Sequence, residues 1–244
     1  MICRLCLKEK QLCKNSHIIP DFMYQELFDE KTHTLVKGLP GKGRKPEIKQ
    51  SGEKEGELLC ADCDNRIIGG YEGYASKVLY GGTSLGVKNV VKADDGLEIT
   101  IVQGLDYKKF KLFLLSLLWR ASISKNHFFS AVDLGPYEEK LRQVLISGNP
   151  GSSANFPCVL TSYKRTSIPS KVVVAPIKSR FEDGKIIYSF IISGFMYVFK
   201  IIENEKTDWV LEATINEKGE MQVPHTPKES ATRLFNAILG QAVF

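Results

Sequence analysis

The chain has 244 residues, a net charge of +5 at pH 7 and a hydrophobic fraction of 43%. This composition predicts a folded globular protein and excludes a disordered chain, and six cysteines in a chain of this length exclude a disulfide-rich scaffold. The mild positive charge suits a polyanionic partner such as nucleic acid.

No segment of the sequence predicts a membrane span or a secretion signal. The longest apolar stretches, residues 112–119 and 186–199, are shorter than the roughly 20 apolar residues that a spanning helix needs. The N-terminus lacks the charged region followed by an apolar region that a signal peptide has. We therefore expect a cytoplasmic protein without a membrane partner.

The first part of the chain predicts two helical segments separated by a polar loop. Residues 21–30 follow a proline and carry apolar side chains at helical spacing, which indicates a short helix. Residues 37–57 are rich in Gly, Lys and Glu and predict an exposed loop or the tip of a long hairpin. From Leu58 the pattern is helical as far as Gly81–Gly82, and the pair Gly69–Gly70 could break this helix.

The polar loop carries a local excess of positive charge around Glu47. This excess is typical of a solvated linker, although it could also contact nucleic acid. The loop residues that we predict at a nucleic-acid surface are Lys42, Arg44 and Lys45.

The middle of the chain predicts one strand and two helices. Residues 97–102 alternate as a strand does, and Asp106 is placed to cap an apolar helix over 107–122. Residues 136–145 predict a second helix, with acidic residues near its start and a basic residue near its end. We expect the polar side of the apolar helix to be a solvated face or part of a groove for a nucleic-acid backbone. Its cations are Lys108, Lys109, Lys111 and Arg120.

The rest of the chain predicts a mostly antiparallel sheet followed by a short amphipathic helix over 232–239. Runs of β-branched and aromatic residues, separated by turn signals, predict the strands. These runs are 156–163, 171–177, 186–193, 195–202 and 209–215. Such a body could recognise nucleic acid, sense a ligand, contact a protein partner or form a homo-oligomer.

Two C-x-x-C pairs predict a zinc site. The pairs are Cys3 with Cys6 and Cys60 with Cys63. Together they can supply four thiolates to one tetrahedral zinc ion and leave no position for water, so the predicted zinc is structural. Cys13 has no second cysteine at this spacing, and Cys158 lies in a predicted strand, as a small core residue does.

A histidine motif lies between the two cysteine pairs. It reads Ser16-His17-Ile18-Ile19-Pro20, and the second pair stands in Leu59-Cys60-Ala61-Asp62-Cys63-Asp64-Asn65-Arg66. In this order the motifs resemble the zinc-knuckle type of the HNH, or ββα-metal, endonuclease family over about the first quarter of the chain. The segment 114–121 is similar to one in uncharacterised bacterial proteins that have such an N-terminal module, which suits a role in bacterial defence, for example against phage, or in a mobile element.

The resemblance implies a fold and a division of the chain. We expect an α+β protein with a small zinc-stapled ββα-metal module over 1–82. The body over 83–244 would follow, with a helical segment and a mostly antiparallel sheet.

The resemblance also implies an activity, which is metal-dependent endonuclease cleavage of phosphodiester bonds in nucleic acid, with DNA favoured. In that family the histidine is the general base and its neighbours hold a catalytic divalent ion. Carried over, His17 is the base, and Ser16 and Asp64 are the positions that hold Mg²⁺ or Mn²⁺. Asn65 would orient His17, and Arg66 would contact a phosphate.

Two departures from the family pattern keep a second function open. Ser16 offers a neutral hydroxyl where the family has an ionic or imidazole ligand, and the family's middle asparagine has no counterpart, with Glu55 and Glu57 as the nearest polar residues. Asp64 could also be a carboxylate that stabilises the first turn of a helix. The alternatives are therefore an inactive HNH-like zinc module that binds nucleic acid or a protein partner, and an assembly protein whose zinc is architectural.

Overall fold

The structure, a computed structural model, describes residues 1–38, 47–91, 96–166 and 172–239. It is a mixed α+β fold with mostly antiparallel sheets, as the sequence predicts. The first part of the chain forms short strands followed by a helix. In chain order its elements are β1 (Ser16–His17), a 3-10 helix (Asp21–Leu27), β2 (Leu35–Gly38), β3 (Glu47–Lys49), β4 (Lys54–Glu55), a π-helical segment (Asp62–Ile68) and α1 (Gly69–Tyr80).

Both helices predicted in this part are present. The predicted break at Gly69–Gly70 falls where the π-helical segment passes into α1. The helix ends at Gly81, whose φ of 90° is a conformation that glycine adopts without a steric penalty.

A long apolar helix forms the centre of the molecule. The elements of this part are β5 (Gly86–Val91), β6 (Glu98–Gln103), α2 (Tyr107–Ile123), a 3-10 turn (His127–Phe129) and α3 (Tyr137–Ser147). Asp106 caps α2 as predicted, because its carboxylate accepts a hydrogen bond of 3.0 Å from the backbone N–H of Lys109. From Phe110 onward nearly all of α2 is buried, as expected of a helix that is apolar on most of its circumference.

The last part of the chain supplies most of the large sheet. Its elements are β7 (Cys158–Ser162), β8 (Val172–Arg180), β9 (Ile186–Ile192), β10 (Phe195–Lys200), α4 (Asp208–Ala213), β11 (Met221–Pro224) and α5 (Lys228–Leu239). The strand predicted over 209–215 is wrong, since residues 209–213 lie in α4 and residues 214 and 215 follow it outside any strand. Val210 and Ala213 are the buried side chains of α4, and their spacing of three residues is helical.

Three sheets organise the described residues. The six-stranded sheet has the order β3-β2-β8-β9-β10-β7, in which β2 and β8 are parallel and the other neighbours are antiparallel. A three-stranded sheet has the order β11-β6-β5, and β1 pairs with β4 in a two-stranded ribbon. The predicted antiparallel sheet is therefore confirmed.

The N-terminal residues and the body share one hydrophobic core. Cys3, Cys63, α2 and the inner face of the large sheet belong to the same buried cluster. Strand β2 also joins the large sheet, with Val36 opposite Val172. The division of the chain at residue 82 stays a prediction.

The predicted exposed loop over 37–57 is wrong at its edges. Lys37 is 8% exposed, and its ammonium lies 2.5 Å from Glu53 and 4.4 Å from the centre of the Phe128 ring. Strands β3 and β4 also fall in this range, and β3 pairs with β2 in an antiparallel hairpin whose connecting residues 39–46 lie outside the described residues. Within the described residues no helix combines the length and the apolar character that crossing a bilayer requires.

Candidate functional site

The two cysteine pairs converge on one point. The four sulfur atoms of Cys3, Cys6, Cys60 and Cys63 lie within 4.8 Å of one another. Three of these side chains are buried and Cys6 is half-buried. A tetrahedral zinc ion with Zn–S bonds of about 2.3 Å separates its sulfurs by roughly 3.8 Å, so this donor set fits zinc and can hold a metal ion.

Backbone contacts hold the two cysteine pairs together. The N–H of Cys60 points at the sulfur of Cys3 at 3.3 Å, and Leu12 forms an isolated β-bridge with Cys60. Leu7 closes the first knuckle with a φ of 57° and donates its N–H to the carbonyl of Cys3. The first knuckle is thus a tight turn, and the backbone N–H of Cys60 faces its Cys3 sulfur from the other cysteine pair.

His17 lies on β1 and is held by pairing with β4. In this ribbon Ser16 is opposite Glu55 and His17 is opposite Lys54. The side chain of His17 is 27% exposed, and its Nε2 lies 3.2 Å from Oδ1 of Asp21, which follows in the first turn of the 3-10 helix. Burial lowers the pKa of His17, so the imidazole tends to be neutral.

A buried arginine connects His17 to α1. Arg120 is 2% exposed, and its Nη1 donates a hydrogen bond of 2.8 Å to the carbonyl of His17. The same nitrogen lies 2.6 Å from Oε1 of Glu72 on α1, while Nε donates to the carbonyl of Ser116 at 3.3 Å. Arg120 therefore ties α2, α1 and β1 together around the histidine.

Two polar atoms around His17, Ser16 Oγ and Arg120 Nη2, are buried without a hydrogen-bond partner among the described residues. His17 Nε2 and Glu72 Oε1 are buried as well, and they lie in ion-pair contact with Asp21 and Arg120. Buried polar atoms of native proteins are nearly always satisfied by protein, water or an ion, and a catalytic role or a bound ion is one explanation for an exception. We call these four residues, together with Asp21, the His17 cluster.

Glu55 anchors the ribbon that carries His17. Its carboxylate accepts hydrogen bonds from the hydroxyl of Ser124 and from the backbone N–H groups of Lys125 and Asn126, just beyond the end of α2. Because these bonds occupy both carboxylate oxygens, Glu55 acts as a positioning residue and is a poor candidate for the metal ligand that replaces the family's asparagine.

The other residues predicted for the catalytic site lie on the π-helical segment. Asp64 is half-buried, and burial together with the nearby Asp64 carboxylate raises the pKa of Cys13, while Asn65 and Arg66 are exposed. The charged groups that most affect the pKa of His17 are Asp21, Lys54, Glu72 and Arg120, and Asp64 is not among them. The roles predicted for Asp64 and Asn65 stay predictions. Lys42, Arg44 and Lys45 lie outside the described residues.

The sequence interpretation missed Glu72 and misplaced Arg120. Arg120 follows Lys109 by eleven residues, about three helical turns, so both belong to one face of α2. That face is exposed at Lys109, but β1 and α1 cover it at Arg120.

Lys111, also predicted on the polar side, is 2% exposed, and its ammonium donates a hydrogen bond to the carbonyl of Ser152. Burial lowers the pKa of Lys111 to about 8.

A cleft of about 720 Å³ lies beside the cysteine cluster. Its walls come from the first knuckle, the π-helical segment, the start of α2 and the end of α3. The charged side chains that line it are Lys8, Lys10, Arg66, Lys108, Lys109, Asp62 and Asp106. Arg66 pairs with Asp62 at 2.7 Å and Lys109 with Asp106 at 2.8 Å.

Three cations of the cleft, Lys8, Lys10 and Lys108, form no ion pair among the described residues. Lys8 and Lys10 stand close to Cys6 and also offset the negative charge that four thiolates leave on a bound divalent ion. The unpaired lysines favour an anionic partner at this cleft.

Comparison of the chain with protein-family models, with curated proteins and with solved structures gives no match.

Proposed function

We propose that this protein is a metal-dependent endonuclease, in which a structural zinc ion on the four cysteines supports the His17 cluster. DNA is the favoured substrate. The observation that carries the proposal is the coincidence of a half-buried histidine with the ion pair between buried Arg120 and Glu72 and with two unpartnered buried polar atoms, in a chain that also carries a site with zinc geometry.

The order of elements supports a ββα-metal site. His17 lies on β1, β4 pairs with it, and α1 follows and supplies Glu72. The similarity to the HNH family implies the order strand, strand, helix, and here the 3-10 helix, β2 and β3 are inserted between the two paired strands. Both strands are short, so the bonds of Glu55 and Arg120 are needed to hold the histidine in place.

The protein groups available to a catalytic divalent ion are few. Among the described residues the cysteine set is the one group of three or more ligand side chains gathered at a point. Mg²⁺ is usually held by one or two carboxylates, with waters and substrate phosphates completing its shell. Asp21 and Glu72 are the carboxylates beside His17 that meet this lower requirement. A bound ion would neutralise the charge that develops on the scissile phosphate.

The chain's own residues then have separate roles. His17 takes the proton of the attacking water, since an imidazole of low pKa is neutral and can accept it. Arg120 positions His17 through its carbonyl. The unpaired lysines of the cleft beside the cysteine cluster, Lys8, Lys10 and Lys108, bind the nucleic-acid backbone at phosphates remote from the reacting bond.

A cleavage assay tests this function. Purified zinc-loaded protein is incubated with plasmid DNA, linear DNA and RNA, in Mg²⁺, Mn²⁺, Ni²⁺ or no added ion. We expect cleavage that requires a divalent ion, stops on addition of EDTA and is faster on DNA than on RNA. Zinc content measured after the reaction shows whether EDTA acted on the catalytic ion alone.

The same assay separates the alternative function. The small number of ligand groups near His17 favours, as a second candidate, a module that binds nucleic acid or a protein partner without cleaving it. A module that binds nucleic acid without cleaving it would bind labelled DNA and form no cleavage product in Mg²⁺, Mn²⁺ or Ni²⁺. Cleavage in Mg²⁺ or Mn²⁺ would exclude it.

A further inference from the structure

An apolar cavity of about 360 Å³ lies in the body, away from the cysteine cluster. The end of α1, the three-stranded sheet and strands β7 and β10 enclose it. Its walls are mostly apolar and include Leu79, Val102, Phe110, Leu160 and Phe195. Cavities of roughly 300–1,000 Å³ with apolar walls and a few polar groups are typical of small-molecule sites.

Two of the polar side chains that line the cavity are exposed cations, Lys164 and Arg165, which follow β7 and form its rim. The other polar side chains are Thr100, Ser162 and His225, and burial lowers the pKa of His225. Among the described residues that line the cavity there is no acidic side chain. A ligand that fills the apolar walls therefore meets two cations at the rim and no fixed negative charge.

The acidic partners of these cations lie outside the cavity. Arg165 pairs with Glu98, and Lys164 lies 3.3 Å from Glu26. The side chains of both pairs are between 38% and 50% exposed, and exposed ion pairs contribute little stability. A carboxylate at the rim can thus replace these partners at low cost.

We propose that this cavity binds a small amphiphilic carboxylate, such as a medium-chain fatty acid. The chain fills the apolar walls, and the carboxylate lies against Lys164 and Arg165. The proposal does not depend on the endonuclease activity, because Glu72 lies at the opposite end of α1 from Leu79.

Calorimetric titration of the full chain with decanoate, decanol and decylamine tests the proposal. These probes share one chain and differ in head group. We expect saturable binding of one decanoate per chain, binding of decanol at least about tenfold weaker, and no binding of decylamine. The double variant Lys164→Gln/Arg165→Gln should bring decanoate to the affinity of decanol and leave decanol unchanged.

Two further variants keep the result decisive. Lys185→Gln/Lys218→Gln, which removes two exposed cations elsewhere, should leave decanoate binding unchanged. Val102→Trp should abolish binding of both decanoate and decanol, provided that its melting temperature shows a folded chain. Equal affinity for the three probes, non-saturable uptake, or full decanoate binding by the rim double variant would overturn the proposal.

Discussion

Replacing Cys60 by serine is expected to release the metal ion and unfold the N-terminal part of the chain. Cys60 is buried, and its backbone N–H and sulfur both belong to the cysteine cluster. Zinc binding contributes about 10–16 kcal/mol to the folding of zinc-finger peptides, which equals the whole stability of many domains. Backbone hydrogen bonds and the shared hydrophobic core also link the two cysteine pairs, but neither replaces the metal–sulfur bonds.

Zinc content by mass spectrometry and the melting temperature measure this effect. We expect Cys60→Ser to bind no stoichiometric zinc and to melt well below the wild type. Cys13→Ser is the matched control, because Cys13 lies near the cluster without being one of its four ligands. A Cys60→Ser protein that keeps one zinc ion and its melting temperature would show that the cluster is not a structural metal site.

Replacing Arg120 by methionine is expected to destabilise the fold by about 3 kcal/mol. Removing one partner of a buried ion pair costs about 3–5 kcal/mol, and the lower end applies because Glu72 is 24% exposed. Methionine keeps most of the side-chain volume, so the loss would come from Glu72, the carbonyl of His17 and the carbonyl of Ser116. Urea unfolding of the zinc-loaded protein measures it.

The matched control is Lys108→Met, which removes an exposed cation from the same helix and should change stability by no more than about 0.5 kcal/mol. If Arg120→Met changes the unfolding free energy by no more than this control, the arginine does not hold the three elements together.

Local sequence signals predicted the elements that depend on local chemistry. Asp106 and the apolar run after it fixed the start of α2, because a cap and a buried helix face are both encoded within a few residues. The segment after Thr207 was predicted wrongly as a strand. Its six residues are too few to distinguish the 3.6-residue period of a helix from the two-residue period of a strand. Packing against the rest of the protein selects the helix.

Long-range contacts decide the rest of the candidate site. The four cysteines were recognised because their spacing alone carries the chemistry. Glu72 and Arg120 become part of the His17 cluster only when α1 and α2 pack beside β1. Arg120 lies 103 residues along the chain from His17, whose carbonyl it contacts. A charged residue within the apolar run 117–121 was the available signal, since an arginine there must be paired if it is buried.

The rate of divalent-ion-dependent DNA cleavage by His17→Ala, relative to the wild type, tests the central claim most directly. Both proteins must carry one zinc ion and have matching melting temperatures. We expect the rate to fall by a factor of about 10²–10⁴, the usual contribution of a general base. An unchanged rate would contradict the assignment of the His17 cluster as the reaction centre.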